Sequence, residues 1–339
     1  MTASGPPGFW VRVRDWFSRI FRRKPPAPGR FESDSKASFR GFLASAPWIW
    51  PGRDYLVYVP SGHTNWRRVP LIVLIHGCRQ TPEEIAAATR IAKLADEMGC
   101  LVLLPRQNPR ANAWGCWNWF DEATARGWGE TAIVAAQIRA VRRKYRIHRK
   151  RVFVAGLSSG GGLASALGVR RPTLIAGVFV HSGIACGAAS SPLSALTILK
   201  TGADVDVTNV AAAAREKAHP RVLPVPLMTI HGGLDDAVAL VNAAQLVRQY
   251  LTLDGHPAAR EGGSTDLPPA DRTETTTTPD GRTVTTSEWR VDGQLVARHV
   301  LVDQLGHAWS GGDDAYPFND PHGPDATTLL GGFVREVVQ

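Results

Sequence analysis

Short apolar segments alternate along the chain with segments of helical periodicity. Residues 54–60 alternate apolar and polar side chains like a half-buried strand, whereas Leu71–Ile75 is apolar throughout. Further segments of strand character are Leu101–Pro105, Arg151–Ala155, Gly177–Val180 and Leu227–Ile230. The apolar spacing predicts helices over Pro82–Met98 and Gly129–Tyr145. Strands that are apolar on both faces and alternate with helices predict a mostly parallel sheet with helices on both faces.

The composition is that of a folded globular chain. Of the 339 residues, 44% are hydrophobic and 20% are charged, which argues against disorder. No apolar run reaches the roughly 18 residues that a membrane-spanning helix needs. Much of the net charge of +9 comes from two basic clusters, residues 12–24 and 139–151. The second cluster is typical of a solvated helix face, and no helix-turn-helix, zinc-finger or RNP motif supports nucleic-acid binding.

The N-terminal residues differ in character from the rest of the chain. Residues 1–30 are interpreted as a basic arm and a proline-rich linker, and residues 31–339 as a single α/β domain. Apolar residues at near-helical spacing and six basic residues share positions 10–24. This pattern predicts either a short interfacial helix for an anionic, apolar surface or a tail that packs on its own domain or is disordered. The arginines interrupt the apolar stretch of a secretory signal, so a cytoplasmic or surface-bound location is expected over secretion.

A Gly-x-Ser-x-Gly sequence follows one of the predicted strands. Gly156, Ser158 and Gly160 lie between the strand Arg151–Ala155 and an alanine-rich helical segment. The glycines permit a tight turn that lifts the Ser158 hydroxyl above the sheet, at a helix N-terminus where negative charge is favoured. The turn therefore predicts a nucleophilic serine.

A serine hydroxyl becomes a good nucleophile only when a base takes its proton and a third group orients that base. His307 lies in a glycine-flanked loop near the C-terminus and is the predicted base. Asp235 and Asp236, after a predicted strand, are the candidate acids, of which Asp235 is favoured. The chain order serine, aspartate, histidine is that of α/β-hydrolases. His76 and His231 abut strand ends and are interpreted as structural residues that pin loops.

An oxyanion hole needs two preorganised backbone N–H groups. Ser159, next to the nucleophile, and Cys78, in the loop after the strand Leu71–Ile75, are the predicted donors. Cys78, Cys116 and Cys186 all fall in loops above the same sheet edge, while Cys100 begins a strand and is interpreted as a buried thiol. The pairing of these cysteines is left open, because sequence does not set connectivity.

Several motifs together resemble the polyhydroxybutyrate depolymerase family of esterases. They run from about residue 54 to the C-terminus. The motifs are His76–Gln80, Pro105–Gln107, Cys116–Phe120, Gly129–Glu130, Gly156–Gly161 and Gly306–Gly312. The resemblance implies an α/β-hydrolase fold, serine hydrolysis of carboxylic esters and no cofactor. Carried over by position, it implies the triad Ser158, Asp235 and His307, with Cys78 and Ser159 as oxyanion donors.

The resemblance implies a hydroxyalkanoate polyester, or its oligomers, as the typical substrate. Feruloyl and acetylxylan esterases are the alternative within the same family, and a serine peptidase of this fold is a further one. The chain lacks a recognisable secretion signal and a separate substrate-binding domain, which argues against attack on crystalline extracellular polymer. For residues 10–24, the candidate surfaces are therefore an anionic membrane or a polyester granule. A non-catalytic binding protein would require a broken triad.

Two further features bear on the site. Trp114, Trp117, Trp119 and Trp309 are predicted either to form an apolar wall for the acyl chain or, for some of them, to pack in the core. The threonine-rich segment Thr273–Thr278 is predicted to form a β-hairpin that turns after Thr278 and precedes His307 in the chain.

Overall fold

The computed structural model describes residues 27–37, 52–217 and 225–339. The predicted interfacial helix, residues 10–24, lies outside the described residues. Within the described ranges, the helices are too short or too polar to cross a membrane.

Most strands of the described chain belong to one sheet. Its strands are β1 Arg30–Ala37, β2 Gly52–Val59, β3 Val69–Ile75, β4 Leu101–Pro105, β5 Ile147–Leu157, β6 Gly177–His181, β7 Leu227–Gly232, β8 Arg272–Thr277, β9 Thr283–Val291 and β10 Gln294–Val302. They lie in the order β1-β2-β4-β3-β5-β6-β7-β10-β9-β8. From β4 to β10 all neighbours are parallel, and antiparallel strands flank them on each side. The predicted mostly parallel sheet is therefore confirmed.

Helices cover both faces of this sheet. They are α1 Pro82–Ala88, α2 Ile91–Met98, α3 Glu122–Ala125, α4 Gly129–Lys144, α5 Ser159–Arg170, α6 Pro192–Thr201, α7 Thr208–Lys217, α8 Val241–Asp254 and α9 Ala326–Val337. Residues of α4, α5 and α8 form one apolar core with the sheet, and residues of α1, α2 and α9 form a second core on the opposite face. The predicted helix Pro82–Met98 is two helices, because Arg90 adopts a left-handed φ of 52° that ends the helical path.

The predicted hairpin is present and extends the main sheet. Strands β8 and β9 pair in antiparallel fashion, and the turn closes where the Thr278 N–H donates to the Arg282 carbonyl at 2.9 Å. Strand β9 also pairs with β10, whose end leads to His307. A short parallel pair, β11 Trp309–Ser310 and β12 Asn319–Asp320, follows that loop. The second basic cluster covers the last part of α4 and the residues after it, and it is solvated as expected, with Arg139, Arg143 and Arg149 exposed.

Close packing of α5 against α8 and β6 depends on Gly168. A Cβ at this position would clash with the Tyr250 hydroxyl and lie 2.6 Å from Val178 Cγ2. Tyr250 is itself buried, and its hydroxyl donates to the Ser165 carbonyl at 3.2 Å, so it has no free direction in which to move.

We expect Gly168→Ala to lower the free energy of unfolding by about 1–3 kcal/mol, the usual cost of overpacking a core. Gly332→Ala is the matched control, because Gly332 also lies inside a helix but a Cβ there meets no atom within 4 Å. That control should gain about 0.5–1 kcal/mol from the lower conformational entropy of its unfolded chain. Urea unfolding of both variants measures the difference, and equal effects would contradict the packing argument.

Candidate active site

Ser158 forms the sharp turn between β5 and α5. Its φ of 56° and ψ of −120° are uncommon for a residue with a side chain, and such strain persists only where the surroundings hold it. A Cβ on Gly160 would lie 2.5 Å from the His76 carbonyl oxygen, and one on Gly156 would lie 2.7 Å from the Gly161 nitrogen. Both glycines are needed for the backbone to pass so closely, so the predicted strand–turn–helix context is confirmed.

Asp235 and His307 form a hydrogen-bonded pair at the same edge of the sheet. Asp235 follows β7 and His307 follows β10, which are parallel neighbours. The Nδ1 atom of His307 lies 3.0 and 2.9 Å from the two carboxylate oxygens, and the side chains are 1% and 13% exposed for Asp235 and His307. Because the ionised carboxylate accepts a hydrogen bond from the Nδ1–H group, the ring proton stays on Nδ1, and Nε2 is left unprotonated and able to act as a base.

The carboxylate of Asp235 is held in its ionised form. Burial by itself raises its pKa, but the hydrogen bond and charge of His307 and the N–H of Val238 together lower it to about 2. The N–H groups of Ala237 and Val238 donate to Oδ1 at 3.0 and 2.8 Å, which fixes the carboxylate in place. Asp236, the alternative acid, is exposed, and its backbone carbonyl accepts from Lys200. The structure thus places Asp235 against His307.

The loop after β3 lies next to Ser158, since a Cβ on Gly77 would be 3.5 Å from the Ser158 Cβ. The N–H of Gly77 donates to Gln80 Oε1 at 2.8 Å and the N–H of Arg79 donates to the Trp114 carbonyl at 2.9 Å. Between them, the N–H of Cys78 has no hydrogen-bond acceptor among the described residues. The N–H of Ser159 lies in the first turn of α5, where the helix supplies no acceptor. The Cys78 Sγ is 3.4 Å from the Ser159 Oγ, so the two predicted donors are close neighbours.

A disulfide joins Cys78 to Cys116 and links the loop after β3 to the loop after β4. The sequence left this pairing open. Cys100 and Cys186 are buried free thiols. The N–H of Trp117, next to Cys116, donates to the Ser159 Oγ at 3.3 Å, so the second loop also supports the elbow.

A buried carboxylate holds the second loop in place. Glu130, at the start of α4, accepts the Asn118 N–H at 2.7 Å and the Gln107 Nε2 at 2.6 Å, and Arg53 lies 3.4 Å away. Burial raises the pKa of Glu130, although the charge of Arg53 and these hydrogen bonds oppose the rise. Gln107 also donates to the Cys116 carbonyl at 2.8 Å. The sequence analysis named Glu130 only as part of a family motif and did not predict this role for it.

The structure separates the four tryptophans between the two predicted roles and corrects the substrate-binding role for three of them. Trp117 and Trp119 are buried in the core, and Trp119 fills the space beside Gly162, where a Cβ would lie 2.9 Å from its ring. Trp309 is 1% exposed and donates from Nε1 to Thr327 Oγ1 at 3.1 Å. These three rings therefore offer no face to a substrate. Trp114 is 63% exposed and stays available for such a contact.

Two buried histidines pin loops, as their positions at strand ends predicted. His76 donates from Nδ1 to the Gly77 carbonyl at 2.8 Å and accepts the Gln107 N–H at Nε2, 3.2 Å away. His231 donates from Nε2 to the Val238 carbonyl at 2.8 Å, in the loop that carries Asp235. The sequence reasoning missed a third buried histidine, His181, at the end of β6. Its position directly after an apolar strand was the available signal.

The fold is that of the α/β-hydrolases. The acetyl xylan esterase from Aspergillus awamori superimposes with a TM-score of 0.63 at 20% identity, over 81% of this chain and 94% of that one. The chain belongs to the Esterase PHB depolymerase family, whose model matches residues 53–266. His307 lies beyond the matched residues, so its assignment depends on the geometry given above.

Two curated relatives show the range within this similarity. Poly(3-hydroxyalkanoate) depolymerase C of Paucimonas lemoignei is 30% identical over 200 residues, which are 58% of this chain and 48% of that protein. Probable acetylxylan esterase A of Aspergillus clavatus is 30% identical over 133 residues, which are 39% of this chain and 42% of that protein. The chain thus spans about half or less of the length of these curated relatives.

Proposed function

We propose that this chain is a serine carboxylic-ester hydrolase in which Ser158 is the nucleophile, His307 the base and Asp235 the orienting acid. The observation that carries the proposal is the Asp235–His307 hydrogen bond at the sheet edge where Ser158 forms the elbow. The membership of the family and the names of its relatives support ester hydrolysis over peptide hydrolysis.

The first half of the reaction forms an acyl-enzyme. The Oγ atom of Ser158 attacks the ester carbonyl carbon while Nε2 of His307 takes the hydroxyl proton. The carbonyl oxygen becomes an oxyanion that accepts from the N–H groups of Cys78 and Ser159. His307, now charged and stabilised by Asp235, gives its proton to the departing alkoxide. The alcohol leaves, and the acyl group stays on Ser158.

The second half returns the enzyme to its starting state. Water attacks the acyl carbon, and His307 takes one of its protons. The same oxyanion donors stabilise the second tetrahedral intermediate. When this intermediate breaks down, the proton passes from His307 to Ser158 and the carboxylic acid leaves.

For the substrate, we propose a hydroxyalkanoate ester, either an oligomer or accessible polymer chains. The support is the family and the relative from Paucimonas lemoignei, whose name states this activity. Esters of acetylated xylan are the second candidate, because relatives of that name match this chain in sequence and in fold. The exposed ring of Trp114 suits either substrate as an apolar contact, while Arg79 lies 4.7 Å from the ring centroid.

The wild-type chain should hydrolyse hydroxybutyrate oligomers in a panel that also contains amorphous polyester, acetylated xylan, feruloyl sugars and a peptide amide. Ser158→Ala should lower kcat on the best ester by about 10⁴-fold or more, because the covalent route is lost. Ser165→Ala is the control, because Ser165 lies inside the helix α5 that follows Ser158 and is fully buried; it should stay within about twofold of wild type. A Ser158→Ala variant that keeps more than a few per cent of activity would move the nucleophile elsewhere, and faster hydrolysis of acetylated xylan would favour the second candidate.

Asp235→Asn should lower kcat far more than Asp236→Asn. The asparagine at 235 cannot stabilise a charged His307 and can hold the ring in the wrong tautomer, which costs about 10⁴-fold in a comparable triad. The exposed Asp236 is the matched control, since its side chain accepts no hydrogen bond from the described residues. Initial rates on a nitrophenyl ester measure both variants, and the reverse order of effects would assign the acid to Asp236.

For residues 10–24, we propose docking to an apolar, anionic surface such as a membrane or a polyester granule. The support is the sequence alone: aromatic residues interleaved with six basic ones. The full chain should co-sediment with anionic vesicles and amorphous polyester better than a chain that begins at Ala27, and the difference should shrink at high salt. A full-length variant with Arg19, Arg22 and Arg23 changed to Gln separates the effect of the positive charge from the effect of removing the N-terminal residues. Equal sedimentation of all three chains would contradict the docking proposal.

A further inference from the structure

His181 lies between the nucleophile and the base. It is the last residue of β6, fully buried, and β6 is flanked by β5, which leads to Ser158, and β7, which leads to Asp235. Its carbonyl oxygen accepts the backbone N–H of Ser158 at 2.9 Å. The main chain of His181 therefore holds the elbow directly.

The ring of His181 contacts the loop that carries the base. Its Nε2 lies 3.3 Å from the backbone nitrogen of Ser310, three residues after His307. The ring also stacks on Trp309, with ring centroids 5.3 Å apart and planes 29° from parallel. One residue thus contacts the nucleophile segment through its backbone and the base segment through its side chain.

The hydrogen bonds fix the protonation state of this ring. A backbone N–H can only donate, so Nε2 must accept from Ser310 and carries no proton. The proton of the neutral ring is then on Nδ1, which donates to the Ser182 hydroxyl 3.3 Å away. Burial, together with the nearby His231 and His307, lowers the pKa of His181 to about 3, while Asp235 opposes the change. The ring is therefore a neutral acceptor at the pH values where His307 works as a base.

The same arrangement occurs at the end of β3. His76 accepts a neighbouring loop's N–H at Nε2 and donates from Nδ1, and burial, the largest cause, lowers its pKa to about 4. There the ring connects the loop of Cys78 with the loop of Cys116. His181 and His76 are thus both neutral rings at strand ends, and each connects two loops of the site by hydrogen bonds.

We propose that His181 is a positioning residue that sets the base His307 relative to the nucleophile Ser158, through the acceptor Nε2 of its neutral ring. This inference rests on the proposed function. If it is correct, the ring acts on turnover through the alignment of Ser158 and His307 and has little effect on substrate binding, because it touches neither the substrate nor the reacting atoms.

Two amide variants separate positioning from simple packing. In His181→Gln the amide reaches the place of Nε2 and its oxygen can accept from Ser310, whereas in His181→Asn it reaches only the place of Nδ1. Both variants lose the aromatic ring, so damage to packing should be similar in the two. We expect His181→Asn to lower kcat by about 10- to 100-fold with KM within about twofold, the size of effect that a misplacement near 1 Å causes. His181→Gln should stay within about threefold of wild type.

The rate at which a fluorophosphate labels Ser158 is a second measure of the alignment of Ser158 and His307, and it does not depend on the affinity for an ester substrate. Diisopropyl fluorophosphate reacts when the Ser158 oxygen forms a bond to phosphorus, fluoride leaves and the serine proton passes to His307. The rate of labelling should fall in His181→Asn in parallel with kcat and recover in His181→Gln. His256→Phe is the matched control, because its buried Nδ1 accepts a backbone N–H from Ala258, 3.3 Å away, in a turn that follows α8. This control should keep wild-type kcat.

Each outcome decides the question. Equal kcat for the Asn and Gln variants, or wild-type kcat in His181→Asn, would overturn the inference. If His181→Asn does not fold, Ser182→Gly removes the acceptor of Nδ1 at a left-handed φ of 50° that glycine tolerates. That variant should lose several-fold in kcat at constant KM, and an unchanged kcat would count against the inference. A wild-type chain that neither hydrolyses esters nor reacts with the fluorophosphate would instead contradict the proposed function.

Discussion

The geometry of the whole site depends on one close backbone contact, between the first turn of α5 and the end of β3. At Gly160 the helix lies so near the carbonyl of His76 that a single Cβ would not fit. Next to this contact Ser158 adopts its positive φ of 56°, and the loop of Cys78 lies beside it, since a Cβ on Gly77 would be 3.5 Å from the Ser158 Cβ. The strain at Ser158 is sustained by packing on every side, since β5 is a central strand with parallel neighbours.

Around this contact, buried polar groups are used to connect loops that lie far apart in the chain. Glu130 holds the segment that begins at Cys116, and His76 and His231 hold the loops of Cys78 and Asp235. Each of these side chains satisfies backbone groups that would otherwise be buried without partners, which would cost about 1–3 kcal/mol apiece. Because burial lowers the pKa of His181 and His231, these neutral rings add hydrogen bonds near the Asp235–His307 pair without adding charge that would compete with it.

The sequence was sufficient for the parts of this fold that depend on local pattern. Periodicity predicted the parallel strands and the helix α4, and the glycine spacing predicted the elbow, because these signals follow from backbone geometry. The sequence did not show where the side chains of Trp117 and Trp309 lie, because an apolar ring in a loop gives the same sequence pattern whether it faces the substrate or the core. The break at Arg90 was not predicted, and the Cys78–Cys116 bond was left open, because its two cysteines are 38 residues apart and sequence does not set connectivity.

The burial of these tryptophans also bears on how the site meets an ester. With Trp117, Trp119 and Trp309 in the core, the surface beside the elbow contains fewer fixed aromatic contacts than the sequence predicted. The groups that remain fixed there are the backbone N–H groups of Cys78, in a loop held by the disulfide, and of Ser159, at the start of α5. Under the proposed function, these donors act on the reacting carbonyl group, which all carboxylic esters share. This fits the similarity of the chain both to a relative named as a poly(3-hydroxyalkanoate) depolymerase and to one named as a probable acetylxylan esterase.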